Sequence, residues 1–153
     1  MSLMIPRRMI LRVLDANINR AREGLRVCED VVRFCLGLRG PFQQLRALRR
    51  ALDAQVRRLP VKPVDVVRFR NSQQDPGRFA HSPAVKSIEH LLLINLQRTK
   101  EALRVLEESS RLVAPRQVAS FQRLRFGTYH VERGLLIGVA ALRHRRQIRR
   151  QGS

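Results

Sequence analysis

Two stretches of this chain are versions of one another. Residues 17–30 read NINRAREGLRVCED and residues 95–108 read NLQRTKEALRVLEE, with seven identities in fourteen positions and five conservative pairs, at a constant spacing of 78. The likeness resumes downstream, where Phe42-Gln43-Gln44-Leu45-Arg46 matches Phe121-Gln122-Arg123-Leu124-Arg125 with one residue of slippage. A repeat of this kind is one supersecondary unit met twice, and it limits the fold more tightly than any single helix. The unit is a hairpin, so two copies predict a pseudo-twofold domain.

Hydrophobic spacing says what the hairpin is made of. Leu11, Leu14, Ile18, Ala21, Leu25, Cys28, Val32 and Cys35 recur at three- and four-residue steps, which predicts an amphipathic helix over 11–35. Gly37, Gly40 and Pro41 end it, and a second helix over about 41–58 carries Leu45, Leu48 and Leu52 inward before Pro60 and Pro63. Residues 64–69 read as extended, and 71–82 as a polar connection turning at Asp75-Pro76-Gly77. A third helix is expected from Ser82 as N-cap, with Pro83 in its first turn, to Leu112. The fourth carries Phe121, Leu124, Thr128, Val131, Leu135 and Leu142 inward, with Gly134 and Gly138 allowing close helix packing. Short loops between long helices imply antiparallel neighbours, hence an all-α bundle over residues 1–142 with copies at about 11–58 and 83–142. Residues 143–153 read as a frayed, solvated basic tail.

A chain of 153 residues, 44% of them hydrophobic, supports one compact domain. Its formal net charge of +19 comes almost wholly from arginine, since lysine occurs only at 62, 86 and 100. Such a balance draws anions, among them phosphorylated metabolites; codon preference for arginine is the plainer explanation. Nucleic acid is disfavoured as a partner, because aromatics are only 5% and no recognised module appears. The longest apolar run, 134–142, is far short of the roughly 17–25 residues of a membrane span. Cys28 and Cys35 lie about 10 Å apart along a helix, too far for a disulfide, so both are expected as core thiols in a reducing cytoplasm. No phosphate loop of the G-x-x-x-x-G-K-[ST] kind, dinucleotide fingerprint or H-E-x-x-H is present, and the four histidines lack metal-ligand spacing. If phosphate is bound, arginines and helix N-termini must bind it.

The repeat also nominates a site. On a helical wheel one apolar seam holds Leu14, Ile18, Ala21, Leu25, Cys28 and Val32, and a second holds Gly24, Val27, Val31 and Phe34. Asn17 and Arg20 extend the second seam with Glu23 at its margin, and Asn95, Arg98 and Glu101 occupy the same places in the other copy. These polar groups face a partner helix, beside the small residues Gly24 and Ala102. The structural alternative is that Arg20 with Glu23, and Arg98 with Glu101, are ordinary i,i+3 helix pairs. Arg26, Glu29, Arg104 and Glu107 fall on the outward side and are expected to be solvated or at an interface.

The linked motifs D-A-N-x-N-R-A-R-E-G-L-R-V-x-E-D from Asp15 and N-L-x-R-x-x-E-A-L-R-V-L-E-E from Asn95 resemble the small monofunctional hydroxymethylpyrimidine-phosphate kinase family. That domain occurs alone or fused in front of thiamine-phosphate synthase. The resemblance covers about 11–132 and includes Arg70, Asp75-Pro76-Gly77 and Tyr129-x-x-Glu132. It implies thiamine biosynthesis, with ATP-dependent phosphorylation of hydroxymethylpyrimidine phosphate to the diphosphate and Mg²⁺ as the metal. The partners it implies are a small phosphorylated pyrimidine and a nucleotide, with a homodimer or association with thiamine-phosphate synthase beside them. For that reaction the repeat offers Glu23 and Glu101 as the candidate catalytic carboxylates. Asn17, Arg20, Arg70, Gly77, Asn95 and Arg98 become the substrate and phosphate ligands, and Asp75 with Glu101 the Mg²⁺ ligands. The central loop departs from the family's R-D-x-x-G-D-x-G, since Asn71 replaces the acidic residue and Gln74 the glycine. That departure motivates a second expectation, a non-catalytic binding or dimerising module.

Overall fold

In the computed structural model, residues 4–151 are described, and among them every regular element is helical. The all-α expectation holds. Five helices run α1 (Arg7–Asp30), α2 (Arg39–Arg57), α3 (Pro63–Arg68), α4 (Ile88–Val113) and α5 (Val118–Gln151). The four long ones close a ring: α1 packs on α4 and α2, and α5 packs on α4 and α2, with α1 against α4 as the most extensive seam. That seam joins the first helices of the two repeats, so the pseudo-twofold axis passes between them.

The core is built mainly from leucine. Leu14, Leu25, Leu45, Leu52, Leu92, Leu96, Leu103, Leu106 and Leu135 are fully buried together with Phe121. Each Leu or Phe removed from water in this way contributes about 1.5–3 kcal/mol. At the α2–α5 contact Leu48 fills the space a side chain at Gly127 would need, its Cδ2 lying 3.0 Å from a Cβ built there.

Several boundaries differ from the sequence reading, each for a local reason. After Asp30 the first helix widens into a π turn, Val31–Leu36, before Gly37 stops it in the left-handed region (φ 66°) with its N–H on the Val32 carbonyl. The wider turn shifts the phase of the wheel. Phe34, placed on the inner seam by a 100° step, is consequently 70% exposed, and Cys35 is exposed as well, while Cys28 alone is a core thiol. The run of valines at 64–67 is helical rather than extended, with Pro63 at its first position, Asp65 in the first turn and Val66 anchoring it to the bundle. Helix α4 starts at Ser87, not Ser82: the Ser87 hydroxyl accepts the His90 N–H at 3.1 Å, and Glu89 sits in the first turn. Residues 82–86 are exposed, so extending the helix through them would bury nothing.

Two further corrections concern α5. Neither glycine marks a close helix approach: a Cβ at Gly134 would meet nothing within 4 Å, and one at Gly138 would lie 3.6 Å from Leu38, an ordinary contact. The basic segment from 143 is helical to Gln151 rather than frayed; it is exposed, and Arg143 reaches Glu89 on α4 at 2.7 Å. Residues 1–3 of the expected domain and 152–153 of the expected tail lie outside the described residues. No helix among those described is long and apolar enough to cross a membrane.

Candidate functional site

Where α1 and α4 cross, their backbones meet almost without side chains between them. A Cβ on Gly24 would lie 2.7 Å from the Asn95 carbonyl oxygen and would collide with the Thr99 hydroxyl. The close crossing opens a cleft of about 450 Å³ along the helices, lined by Asn17, Arg20, Glu23 and Gly24 from α1 and by Asn95, Arg98, Glu101, Ala102 and Val105 from α4. Six of the eight polar positions nominated by the repeat and the family motifs meet here, in three pseudo-symmetric pairs. The two asparagines are fixed identically: Asn17 donates to the Val13 carbonyl and Asn95 to the Leu91 carbonyl, each at 2.9 Å. In both, the amide oxygen takes no hydrogen bond among the described residues.

The arginines and glutamates are not spent on each other. Neither Arg20–Glu23 nor Arg98–Glu101 forms an ion pair among the described residues, so the helix-pair alternative does not describe them. Arg20 and Glu23 take no protein hydrogen bond among those residues, Glu101 accepts one from Gln97 (2.8 Å), and Arg98 donates to the Ser82 hydroxyl (3.3 Å). Cations with open donors beside carboxylates with open oxygens suit an anion that carries a metal.

Glu29 and Glu107, read as outward-facing, are 3% and 1% exposed. Each clamps its own hairpin. Arg49 from α2 holds Glu29 through two hydrogen bonds, of 2.6 and 3.3 Å, and Arg125 from α5 holds Glu107 at 2.9 Å. Burial pushes the Glu29 carboxyl up, but the Arg49 hydrogen bond and charge, with Arg26 and Arg46, leave it below the usual range. A second clamp is duplicated too, Arg22–Asp53 at 2.7 Å in the first copy and Lys100–Glu132 at 2.8 Å in the second. Helical phase misled here because a glutamate at the margin of a face can still be covered by a long arginine from the neighbouring helix.

The central loop is arranged differently from the expectation that it supplies ligands. Arg70 is engaged by Asp15, with two hydrogen bonds of 2.7 Å, and the Gly77 N–H is taken by the Asp75 side chain at 2.9 Å. Neither Arg70, Asp75 nor Gly77 lines the cleft. Asn71 and Gln74, the two departures from the family pattern, bind one another: the Asn71 amide donates to Gln74 Oε1 (2.8 Å) and its oxygen accepts the Gln74 N–H (3.3 Å). The loop is thus tied at one end to α1 through Arg70–Asp15 and at the other to α4 through Ser82–Arg98. Asp15 and Ser82 were missed as contributors. The signal for Asp15 lay in the repeat itself, since its twin position is Leu93, and a buried carboxylate in one copy alone needs a reason. Among the described residues no three of His, Cys, Asp and Glu gather into a metal cluster.

Comparison with known proteins places the chain in a lineage. The ThiD2 family matches residues 12–134. Thiamine-phosphate synthase from Synechocystis sp. (strain ATCC 27184 / PCC 6803 / Kazusa) is 40% identical over 130 residues, 83% of this chain and 36% of that protein. Thiamine-phosphate synthase from Gloeobacter violaceus is 36% identical over 132 residues, 84% of this chain and 37% of that protein. That from Synechococcus sp. (strain CC9605) is 33% identical over 143 residues, 92% of this chain and 39% of that protein. The chain therefore spans well under half the length of these relatives. No solved structure matches it.

Proposed function

The chain belongs to the ThiD2 family, and from that premise we propose that it serves thiamine biosynthesis as a hydroxymethylpyrimidine-phosphate kinase, with the duplicated cleft as its site. One observation carries the reading: two arginines, two carboxylates and two asparagines face a single cleft, and the arginines and carboxylates form no ion pairs there. Arg20 and Arg98 bind phosphate oxygens. Asn17 and Asn95, each with an amide hydrogen already on a carbonyl, present acceptor oxygens, which suit the exocyclic amine of an aminopyrimidine better than a phosphate.

The acceptor in this reaction is a phosphate oxygen. With a second pKa of about 6 it is largely ionised at neutral pH, so the transfer needs positioning and charge neutralisation more than a strong base. Glu23 and Glu101 fit that need as oxygen ligands for Mg²⁺, which is commonly held by one or two carboxylates together with substrate phosphates. Bound there, Mg²⁺ would supply neutralisation of phosphate charge. Asp75 is the poorer ligand, one oxygen being committed to Gly77. Arg70 acts through the loop, which its pairing with Asp15 holds in place.

A second reading, a non-catalytic module associated with thiamine-phosphate synthase or with a second copy, draws on the loop. Its arginine, its aspartate and both departing residues are occupied by partners outside the cleft. Incubation of the protein with Mg·ATP and the pyrimidine monophosphate, followed by ³¹P NMR, separates the two. Diphosphate and ADP in equal amounts support the kinase; monophosphate binding without turnover supports the module.

A further inference from the structure

The duplication leaves open which copy serves which substrate, and a difference between the copies answers it. Beside the main cleft, on the α1–α2 side, lies a groove of about 320 Å³ lined by Arg22, Glu23, Arg26, Arg49 and Asp53. Glu23 lines both, so the groove and the cleft adjoin. All three arginines are held by their Nε edge: Arg22 on Asp53 at 2.7 Å, Arg26 on Asp30 at 3.2 Å, and Arg49 on Glu29 at 2.6 Å. Hydrogen bonds hold the Arg22 and Arg49 guanidinium groups and leave terminal nitrogens open, the Nη pair of Arg22 and Nη1 of Arg49 among them, while Arg26 is oriented by surface ion pairs alone. Fixed arginines with spare donors suit a ligand with several phosphate oxygens, because little side-chain freedom is then lost on binding.

The second copy keeps only part of this set, since buried Thr128 stands where Arg49 stands in the first. Lys100, Arg104 and Glu132 stand where Arg22, Arg26 and Asp53 stand in the first copy. There Tyr129 covers the position, its ring centroid 4.9 Å from Lys100 Nζ, whereas the first copy has exposed Arg50 at the matching place. The Lys100 and Glu132 side chains are 11% and 16% exposed, against 39% and 29% for Arg22 and Asp53. The equivalent pair in the second copy is therefore the more covered of the two.

We propose that the Arg22–Arg26–Arg49 groove is the polyphosphate subsite for the nucleoside triphosphate, its terminal phosphate lying toward Glu23 and the pyrimidine monophosphate occupying the pseudo-symmetric cleft. This rests on the kinase reading and adds to it an assignment of the two substrates. The unpaired Glu23 carboxylate at the junction meets the cation that accompanies a triphosphate, and the arginines meet its oxygens.

Calorimetric titration of Mg·ATP, and separately of the pyrimidine monophosphate, into wild type, Arg26→Ala, Arg22→Gln and Arg104→Ala tests the assignment. Circular dichroism establishes that each variant is folded. Arg104 is the repeat equivalent of Arg26 and makes the same i,i+3 and i,i+4 pairs, so it controls for lost helix pairing. Arg26→Ala and Arg22→Gln are expected to weaken Mg·ATP at least about fivefold while monophosphate affinity stays within twofold, and Arg104→Ala to change neither. Nucleotide binding and turnover in wild type that persist unchanged in both groove variants, or that fall equally in Arg104→Ala, overturn the groove and leave the kinase standing. Wild type that binds no Mg·ATP overturns the kinase reading and the groove with it.

Discussion

Gly24 has room for a hydrogen and nothing larger, because the Asn95 carbonyl and the Thr99 hydroxyl stand where its Cβ would be. Gly24→Ala must part α1 from α4 and is expected to cost about 1–3 kcal/mol, as overpacking in a tight core does. Thermal unfolding reads that loss; an unchanged midpoint would mean the crossing is looser than described. Glu29 carries a pH signature. Its carboxyl lies below the ordinary value of 4.5 in the folded protein, so its contribution is complete above that value and is lost as pH falls through the lower, folded-state pKa. Glu29→Gln should therefore be less stable than wild type at neutral pH and lose less on acidification, with denaturant midpoints at pH 7 and pH 3 as the measure. Cys28 behaves oppositely: burial, then the charge of Glu132, push its thiol up to about 12, so exposed Cys35 should take a thiol reagent far faster. At this scale the sequence was legible where both copies repeated a residue, as with Asn17 and Asn95. It misled where a repeated residue had a structural task, since Glu29 and Glu107 are retained in both halves as hairpin clamps.

Elements were predictable in kind and less so in extent. The 3.6-residue spacing of Leu11, Leu14, Ile18, Ala21 and Leu25 sufficed for α1, because one face is buried from Leu11 onward. It could not show the π turn at Val31–Leu36, which alters the period on which the reading depends. The start of α4 needed the knowledge that residues 82–86 have nothing to pack on. The loop after α3 is the element whose behaviour the Asp15–Arg70 pair governs. Asp15→Asn should weaken that tether and raise the rate of proteolytic cleavage within 71–82 severalfold, with the global unfolding midpoint little changed because Arg70 is half exposed. Equal cleavage of wild type and variant would show the loop to be held by other contacts. The far end of α5 is expected to be dispensable: truncation after Leu142 removes an exposed helical segment, the surface pair Arg143–Glu89 with it, and should shift stability by less than about 1 kcal/mol.

For the molecule as a whole, duplication does two things at once. Packing the first helix of each copy against its twin buries the leucine core and, along the same seam, sets two sets of Asn, Arg and Glu face to face. A site on a pseudo-twofold axis begins with equivalent halves, and unequal substrates require them to diverge; Tyr129 against Arg50, and Asp15 against Leu93, are where this chain has done so. The central claim is that the cleft on that axis binds the pyrimidine monophosphate and phosphorylates it. Its most direct test is steady-state formation of the diphosphate from the monophosphate and Mg·ATP by wild type, Arg20→Ala and Arg98→Ala, each shown to be folded. Wild type is expected to turn over, and each arginine variant to fall about 100-fold or more in kcat/KM, about 2.7 kcal/mol of lost transition-state stabilisation. Turnover undiminished in both variants, or none in wild type, would contradict the claim.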